Sequence, residues 1–153
     1  MTRPVVLIAD SMSDEVIAEI ACVADVDYLP MAREATVLKR LASAHVLVVR
    51  SGHRVTEDWL LSAPSLRAII RAGSGTDNIA VEAALGRGLL FASLPGANAV
   101  SVAELGVASI LILLRHLFPA YSQLRDGVWA KSRYVGAELQ GKTVALIGFG
   151  SIG

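Results

Sequence analysis

Short apolar runs alternating with helical stretches are the strongest constraint on how this chain folds. Val5 to Ala9, His45 to Val49, Leu66 to Ile70 and Leu89 to Ala92 are too short for helices and rich in apolar residues, and Asp25 to Leu29 can form one more strand. Between them, Ser13-Asp-Glu15 opens a helical stretch with Val16, Ile17 and Ile20 on one side, and further helices are expected over Glu34 to Leu41, Glu57 to Ser62 and Val81 to Leu85. Strands without polar alternation bury both of their sides, and parallel neighbours need a crossover helix. The pattern therefore predicts an α/β fold, a parallel sheet covered on both faces.

The pattern changes at Leu94-Pro-Gly-Ala-Asn98, a turn or hinge that sets a boundary near residues 95 to 100. Ser101 and Glu104 have the spacing of a capping box and are expected to open a long helix carrying Val107, Ile110, Leu111, Leu114, Leu117 and Phe118 before Pro119. A second helix is expected from about Ala120 to Asp126, then Gly127-Val-Trp129 and a loop. Thr143 to Ile147 reads as a strand running into Gly148-Phe-Gly-Ser-Ile-Gly153. Residues 1–96 thus form one expected domain and residues 97–153 the long helix and first strand of another. No internal repeat or low-complexity tract interrupts either.

Composition removes several functional classes. Fourteen basic and fourteen acidic residues balance and intersperse, which leaves no electrostatic footprint for nucleic acid or an anionic membrane. The apolar run from Leu105 to Leu114 is far short of the roughly 20 residues that span a bilayer. Asp10, Asp14 and Glu15 interrupt the region where a signal peptide would be apolar, and a cytoplasmic protein is expected. The single cysteine, Cys22, cannot form an internal disulfide and is expected as a reduced, buried side chain.

In parallel α/β sheets, ligands collect beyond the carboxyl ends of the strands. Arg50-Ser51 and Arg71-Ala-Gly-Ser-Gly-Thr76 each follow such an end. Gly73 and Gly75 let the chain turn sharply, so that the Ser74 and Gly75 amides can face one anion such as a carboxylate. A purely structural turn with solvent-facing arginines fits the spacing equally well.

Gly148, Gly150 and Gly153 follow a strand signal, as the dinucleotide fingerprint requires, with Ser151 and Ile152 supplying amides at the expected helix start. Glycines serving only packing are the other reading. Of the histidines, His45 sits at a strand start, His116 in the apolar helix and His53 on the Arg50 loop, where exposure to solvent is expected. No His, Cys and carboxylate cluster has metal-ligand spacing, and Ser51 and Ser101 have no identifiable base for a hydrolase triad.

Val49-Arg-Ser51, Arg71-Ala-Gly-Ser-Gly-Thr-Asp-Asn78, Pro95-Gly-Ala-Asn-Ala-Val-Ser-Val-Ala-Glu104, Gly127-Val-Trp129 and Glu138-Leu-Gln-Gly-Lys142 with Gly148 to Gly153 follow one another in this order. In this the chain resembles the D-isomer-specific 2-hydroxyacid dehydrogenases, most closely their D-3-phosphoglycerate dehydrogenase branch, over essentially its whole length. The resemblance implies a flavodoxin-like substrate-binding domain over residues 1–96, lacking its C-terminal return segment, followed by the truncated start of a Rossmann nucleotide-binding domain. It puts Arg50, Ser51, Gly73, Ser74, Gly75 and Asn98 on the substrate side, with Ser74 also near the nicotinamide end of NAD. It puts Gly148, Gly150, Ser151, Ile152 and Gly153 at the pyrophosphate. The family's catalytic arginine, glutamate and histidine would lie beyond Gly153, so no catalytic residue is assigned here.

Three departures stand out. Ser151 replaces a frequent arginine, Ala80 an aspartate that would cap a helix, and Ser93 an asparagine.

The expected function is a fragment of an NAD-dependent oxidoreductase acting on a D-2-hydroxyacid, with D-3-phosphoglycerate the substrate the branch implies. The fragment is expected to be inactive alone, to bind NAD weakly or not at all, and to form a homodimer through the 101–118 helix. That helix folding back over its own sheet is the other arrangement. A non-catalytic carboxylate-binding or regulatory module is the alternative function.

Overall fold

The computed structural model describes residues 2–153 and divides the chain into two compact units, Met1–Ala97 and Asn98–Gly153. In the first unit, strands β1 (Val5–Ile8), β2 (Asp25–Tyr28), β3 (Val46–Val49), β4 (Ala68–Arg71) and β5 (Leu90–Ser93) alternate with helices. These are α1 (Asp14–Val23), α2 (Glu34–Leu41), α3 (Glu57–Leu61) and α4 (Val81–Gly86). Every strand pairing is parallel, in the order β2-β1-β3-β4-β5. This is the flavodoxin-like doubly wound order, whose direction reverses between β1 and β3.

The pleat explains why the strands read as unbroken apolar runs. Leu7, Leu47, Val49 and Ile69 enter one cluster with Val37 and Leu41 of α2, Trp59 and Leu60 of α3, and Ala84 of α4. Val6, Ile8 and Val48 point the other way, against Ile17 and Ile20 of α1. Trp59, only 2% exposed, is the largest fully buried side chain, and its indole N–H donates to Glu34 Oε1 at 2.7 Å. Burying the aromatic body while satisfying its one donor makes α3 a firm lid on the sheet despite its five residues.

One detail of this unit differs from expectation. Cys22 is exposed, because Ile17 and Ile20 take the sheet-facing side of α1 and Cys22 lies across the helix from them. Its Sγ meets the Ala18 carbonyl at 3.4 Å. Ala80, which cannot cap through its side chain, occupies the N-cap position of α4.

In the second unit, α5 runs over Ala99–Leu114 and α6 over Leu117–Arg125, followed by a 3-10 turn at Lys131–Tyr134. The expected start at Ser101 is corrected. Ala99 and Val100 carry the helix back to Asn98, itself a favourable N-cap residue type.

The continuous helix to Phe118 is also corrected. Pro119 has no N–H to offer the Arg115 carbonyl and its ring crowds that position, while the Leu114 carbonyl accepts instead from Ala137 N–H at 2.9 Å. The chain breaks at His116, in the left-handed region at φ 53°, and the two helices diverge by 68°. Among the described residues no single helix is long and apolar enough to cross a membrane.

The expected strand Thr143–Ile147 does not form. Residues 142–147 have no regular structure and are exposed. A strand is stabilised by its ladder, and no described segment pairs with this one. Gly148 turns at φ 97°, but no helix begins at Ser151, so the described residues show no separate Rossmann unit.

Candidate functional site at the carboxyl edge of the sheet

Parallel pairing brings the ends of β1, β3 and β4 to one edge. Val49 is in register with Arg71, and the next amide, Ala72 N–H, donates to the Val49 carbonyl at 2.8 Å. The Arg50 loop and the Arg71–Asn78 loop therefore leave the sheet side by side. Asn78 fastens them: its Nδ2 donates to the Arg50 carbonyl at 2.8 Å and to the His53 carbonyl at 2.7 Å. Val55 N–H completes the join by donating to the Asn78 carbonyl at 2.8 Å.

The Gly73-Ser74-Gly75 turn folds tightly over Arg71. A Cβ on Gly73 would stand 2.0 Å from Arg71 Nη1, so glycine is required for the guanidinium to lie where it does. Arg71 Nε is buried and unpartnered, which leaves a charge-bearing donor set inside the turn.

Ser74 Oγ donates to the Leu94 carbonyl and accepts from Gly96 N–H, each at 3.1 Å, tying the turn to the hinge segment. The hydroxyl thus fixes the turn. Its neighbouring main-chain amides and the two arginines are the groups suited to an anion.

Within the first unit, the loop carrying Arg50 and Ser51 thus leaves the sheet beside the loop carrying Gly73, Ser74 and Gly75, and the crevice at this edge is lined by the first pair. Asn98 belongs to the second unit, as the N-cap of α5. Gly148, Gly150, Ser151, Ile152 and Gly153 are also there. A Cβ on Gly153 would meet the Gly148 carbonyl oxygen at 3.0 Å, so the loop curls closely on itself. The glycines suit a dinucleotide fingerprint, and residues 142–153 are exposed without regular structure.

Sequence reasoning missed two members of this edge. Arg71 was visible only as the first residue of a loop. Asp10, at the end of β1, is 8% exposed and the sole buried charged residue described. Its Oδ2 accepts from Arg50 N–H at 2.5 Å and its Oδ1 meets His53 Nδ1 at 3.1 Å.

His53 accordingly is not the solvent-exposed residue expected. Its side chain is 12% exposed and its ring stands 5.7 Å from that of Trp59. The available signal was an acidic residue closing an apolar strand, two strands before a loop histidine. His45, by contrast, accepts from Val5 N–H through Nδ1 at 3.0 Å and joins strands at the opposite edge.

A crevice of about 590 Å³ lies at the β1 and β3 ends, lined by Ser11, Met31, Arg50, Ser51 and His53 among others. It coincides with the point where strand order reverses, the position at which open α/β sheets bind ligands. A separate cavity of about 650 Å³ in the second unit, lined mainly by Leu117, Phe118, Tyr121, Trp129 and Tyr134, is apolar and holds no acid-base pair. The described residues contain no group of three metal-ligating side chains.

Comparison with known proteins agrees with this architecture. The family profile described as D-isomer specific 2-hydroxyacid dehydrogenase, catalytic domain, matches residues 6–146. The chain is 38% identical over 148 residues to a D-3-phosphoglycerate dehydrogenase of Methanocaldococcus jannaschii, covering 97% of this chain and 28% of that one. It is 45% identical over 116 residues to a hydroxypyruvate reductase of Thermotoga maritima, covering 76% of this chain and 38% of that one. Among solved structures, a protein of Thermus thermophilus superposes with a TM-score of 0.90 at 26% identity, over 97% of this chain and 50% of the other. The chain thus spans well under half the length of these curated relatives.

Proposed function

The chain belongs to the D-isomer specific 2-hydroxyacid dehydrogenase family, and from that premise we propose that it forms the substrate-binding side of an NAD-dependent oxidoreductase. The substrate would be a D-2-hydroxyacid, with D-3-phosphoglycerate the leading candidate. The observation that carries this reading is the Gly73-Ser74-Gly75 turn closed over Arg71 and placed beside Arg50 at the strand ends. In this reading the Ser74 and Gly75 amides hold the substrate carboxylate, while Arg50 and Ser51 bind its remaining polar groups. Residues 1–96 are the substrate domain and residues 97–153 the opening of the nucleotide-binding domain. There Gly148, Gly150, Ser151, Ile152 and Gly153 would meet the pyrophosphate once completed by a paired strand and a following helix. The nicotinamide would accept the hydride. We assign the protein to the cytoplasm.

Isotope-edited NMR of the chain titrated with D-3-phosphoglycerate tests the substrate assignment. Shifts are expected to concentrate on Ser74 and Gly75, with Arg50 and Ser51 following, and a response absent from Ser74 and Gly75 would overturn it. With NAD and D-3-phosphoglycerate together, the 153-residue chain is expected to produce no NADH above background, because no acid-base histidine is assigned within it. Chain-dependent turnover that survives repurification would contradict this.

A second reading is a non-catalytic carboxylate-binding module, which the loops at the sheet's carboxyl edge would serve without a cofactor. It requires saturable acid binding that NAD leaves unaffected.

The partner in the proposed assembly is a second copy of the chain, met through α5 and its continuation. Leu105, Val107, Leu113 and Phe118 are each more than half exposed, an apolar stretch that favours burial. Sedimentation is expected to show a concentration-dependent dimer that Leu111→Asp weakens. A strict monomer unaffected by that substitution would remove the case.

A further inference from the structure

Three side chains hold the Arg50–His53 segment, and none of them was assigned a role by the substrate reading. Asp10 reaches it from the loop after β1, Asn78 from the loop after β4, and Trp59 from α3. Asp10 engages two points with its two oxygens, the Arg50 main-chain N–H and the His53 ring.

The carboxylate lies so close to the loop that a Cβ on Gly52 would come within 2.2 Å of Asp10 Oδ1. Gly52 is thus the residue that admits the carboxylate. At the other end, Arg50 Nη1 donates to the Ser11 carbonyl at 3.3 Å, one residue beyond Asp10. The main chain and the guanidinium of Arg50 are consequently both referenced to the end of β1.

We propose that Asp10 is a positioning residue for ligand binding, fixing the Arg50–Ser51 loop and orienting His53 so that Nε2 is the ring nitrogen left for the crevice. This deepens the substrate reading above and rests on it. The physical argument runs through hydrogen-bond inventory. An ionised carboxylate only accepts, so both of its partners must donate: Arg50 N–H to one oxygen and His53 Nδ1–H to the other. A neutral imidazole with its proton on Nδ1 has its lone pair on Nε2, the atom then available to a ligand hydroxyl. Asparagine at position 10 keeps one accepting oxygen for Arg50 but can present N–H to the ring, which would shift the proton to Nε2. Alanine removes both anchors. Because a ligand clamp displaced by even 1 Å loses much of its benefit, the Arg50 loop needs such anchoring from outside itself.

The test uses the chain in its wild-type, Asp10→Asn and Asp10→Ala forms, with melting curves and amide spectra confirming that each folds. Without ligand, long-range nitrogen spectra of the neutral ring are expected to show the Nδ1–H tautomer of His53 in the wild type and Nε2–H in Asp10→Asn. Arg50 N–H should exchange slowly in both and rapidly in Asp10→Ala. With D-3-phosphoglycerate as the probe, Asp10→Ala is expected to bind about tenfold more weakly, with part of the loss restored by asparagine.

A wild-type Nε2–H tautomer, or equal Arg50 exchange in wild type and Asp10→Ala, would overturn the proposal whether or not the probe binds. So would equal affinity in those two forms. Absence of probe shifts at Ser74 and Gly75 in the wild type would instead overturn the substrate reading, and the ligand-free measurements would still decide the positioning role. If Asp10→Ala fails to fold, the tautomer comparison with Asp10→Asn decides.

Discussion

Replacing Trp59 with alanine is expected to cost about 3 to 5 kcal/mol of stability, the range for deleting a fully buried aromatic side chain. Trp59 is 2% exposed, packs in the larger core cluster and satisfies its indole N–H at Glu34. Its removal leaves a cavity beneath α3 that five helical residues and their short connections cannot readily close. Since single domains hold only about 5 to 15 kcal/mol in total, the variant should sit near its unfolding threshold. Denaturant unfolding followed by far-ultraviolet circular dichroism measures this, with Trp129→Ala as the control. Trp129 is 78% exposed, and its loss should change stability by less than about 0.5 kcal/mol. Comparable losses in the two variants would contradict the assignment of the core.

The second large effect is a difference within one molecule. Amides of Leu47 and Val48 should exchange at least about three orders of magnitude more slowly than those of Val144 to Ile147, because central-strand opening requires most of the domain's stability. β3 lies between β1 and β4, and its side chains divide between both core clusters. Residues 144–147 are exposed and pair with no described strand, despite a similar apolar sequence. Hydrogen exchange read by NMR checks the ratio. Equal protection in a monomeric sample would show that the second segment has found a partner.

These two segments mark how far sequence pattern reaches. Val46–Val49 is a strand with a partner on each side, whereas Thr143–Ile147, of similar apolar preference, has no partner among the described residues. β-structure is a property of pairs, so a run of apolar residues states a capacity that neighbouring chain must realise. Helices close their hydrogen bonds within themselves, which is why α2 falls at Glu34–Leu41 as its sequence indicates. Where the long helix departed from expectation, the sequence signal existed. Pro119 forbids the bond to Arg115, although the competing contact from Ala137 to Leu114 was not legible.

The candidate site divides the same way. Glycines at 73 and 75 and arginines after strand ends were readable as loops at the sheet's carboxyl edge, although neither glycine has a positive φ and the space beside them is taken by side chains. That Asp10 grips Arg50 and His53 was not, since those contacts join residues 40 and 43 positions apart. The amino-acid sequence by itself determined the alternation of strand and helix, the parallel sheet and the loops at its carboxyl edge. Those follow from apolar periodicity and backbone permission, which act over a few residues. Tertiary structure alone decided that Cys22 is exposed, that His53 is covered and which carboxylate anchors the loop. Those depend on the strand order β2-β1-β3-β4-β5, which makes the ends of β1 and β3 neighbours although α1, β2 and α2 separate them in the chain.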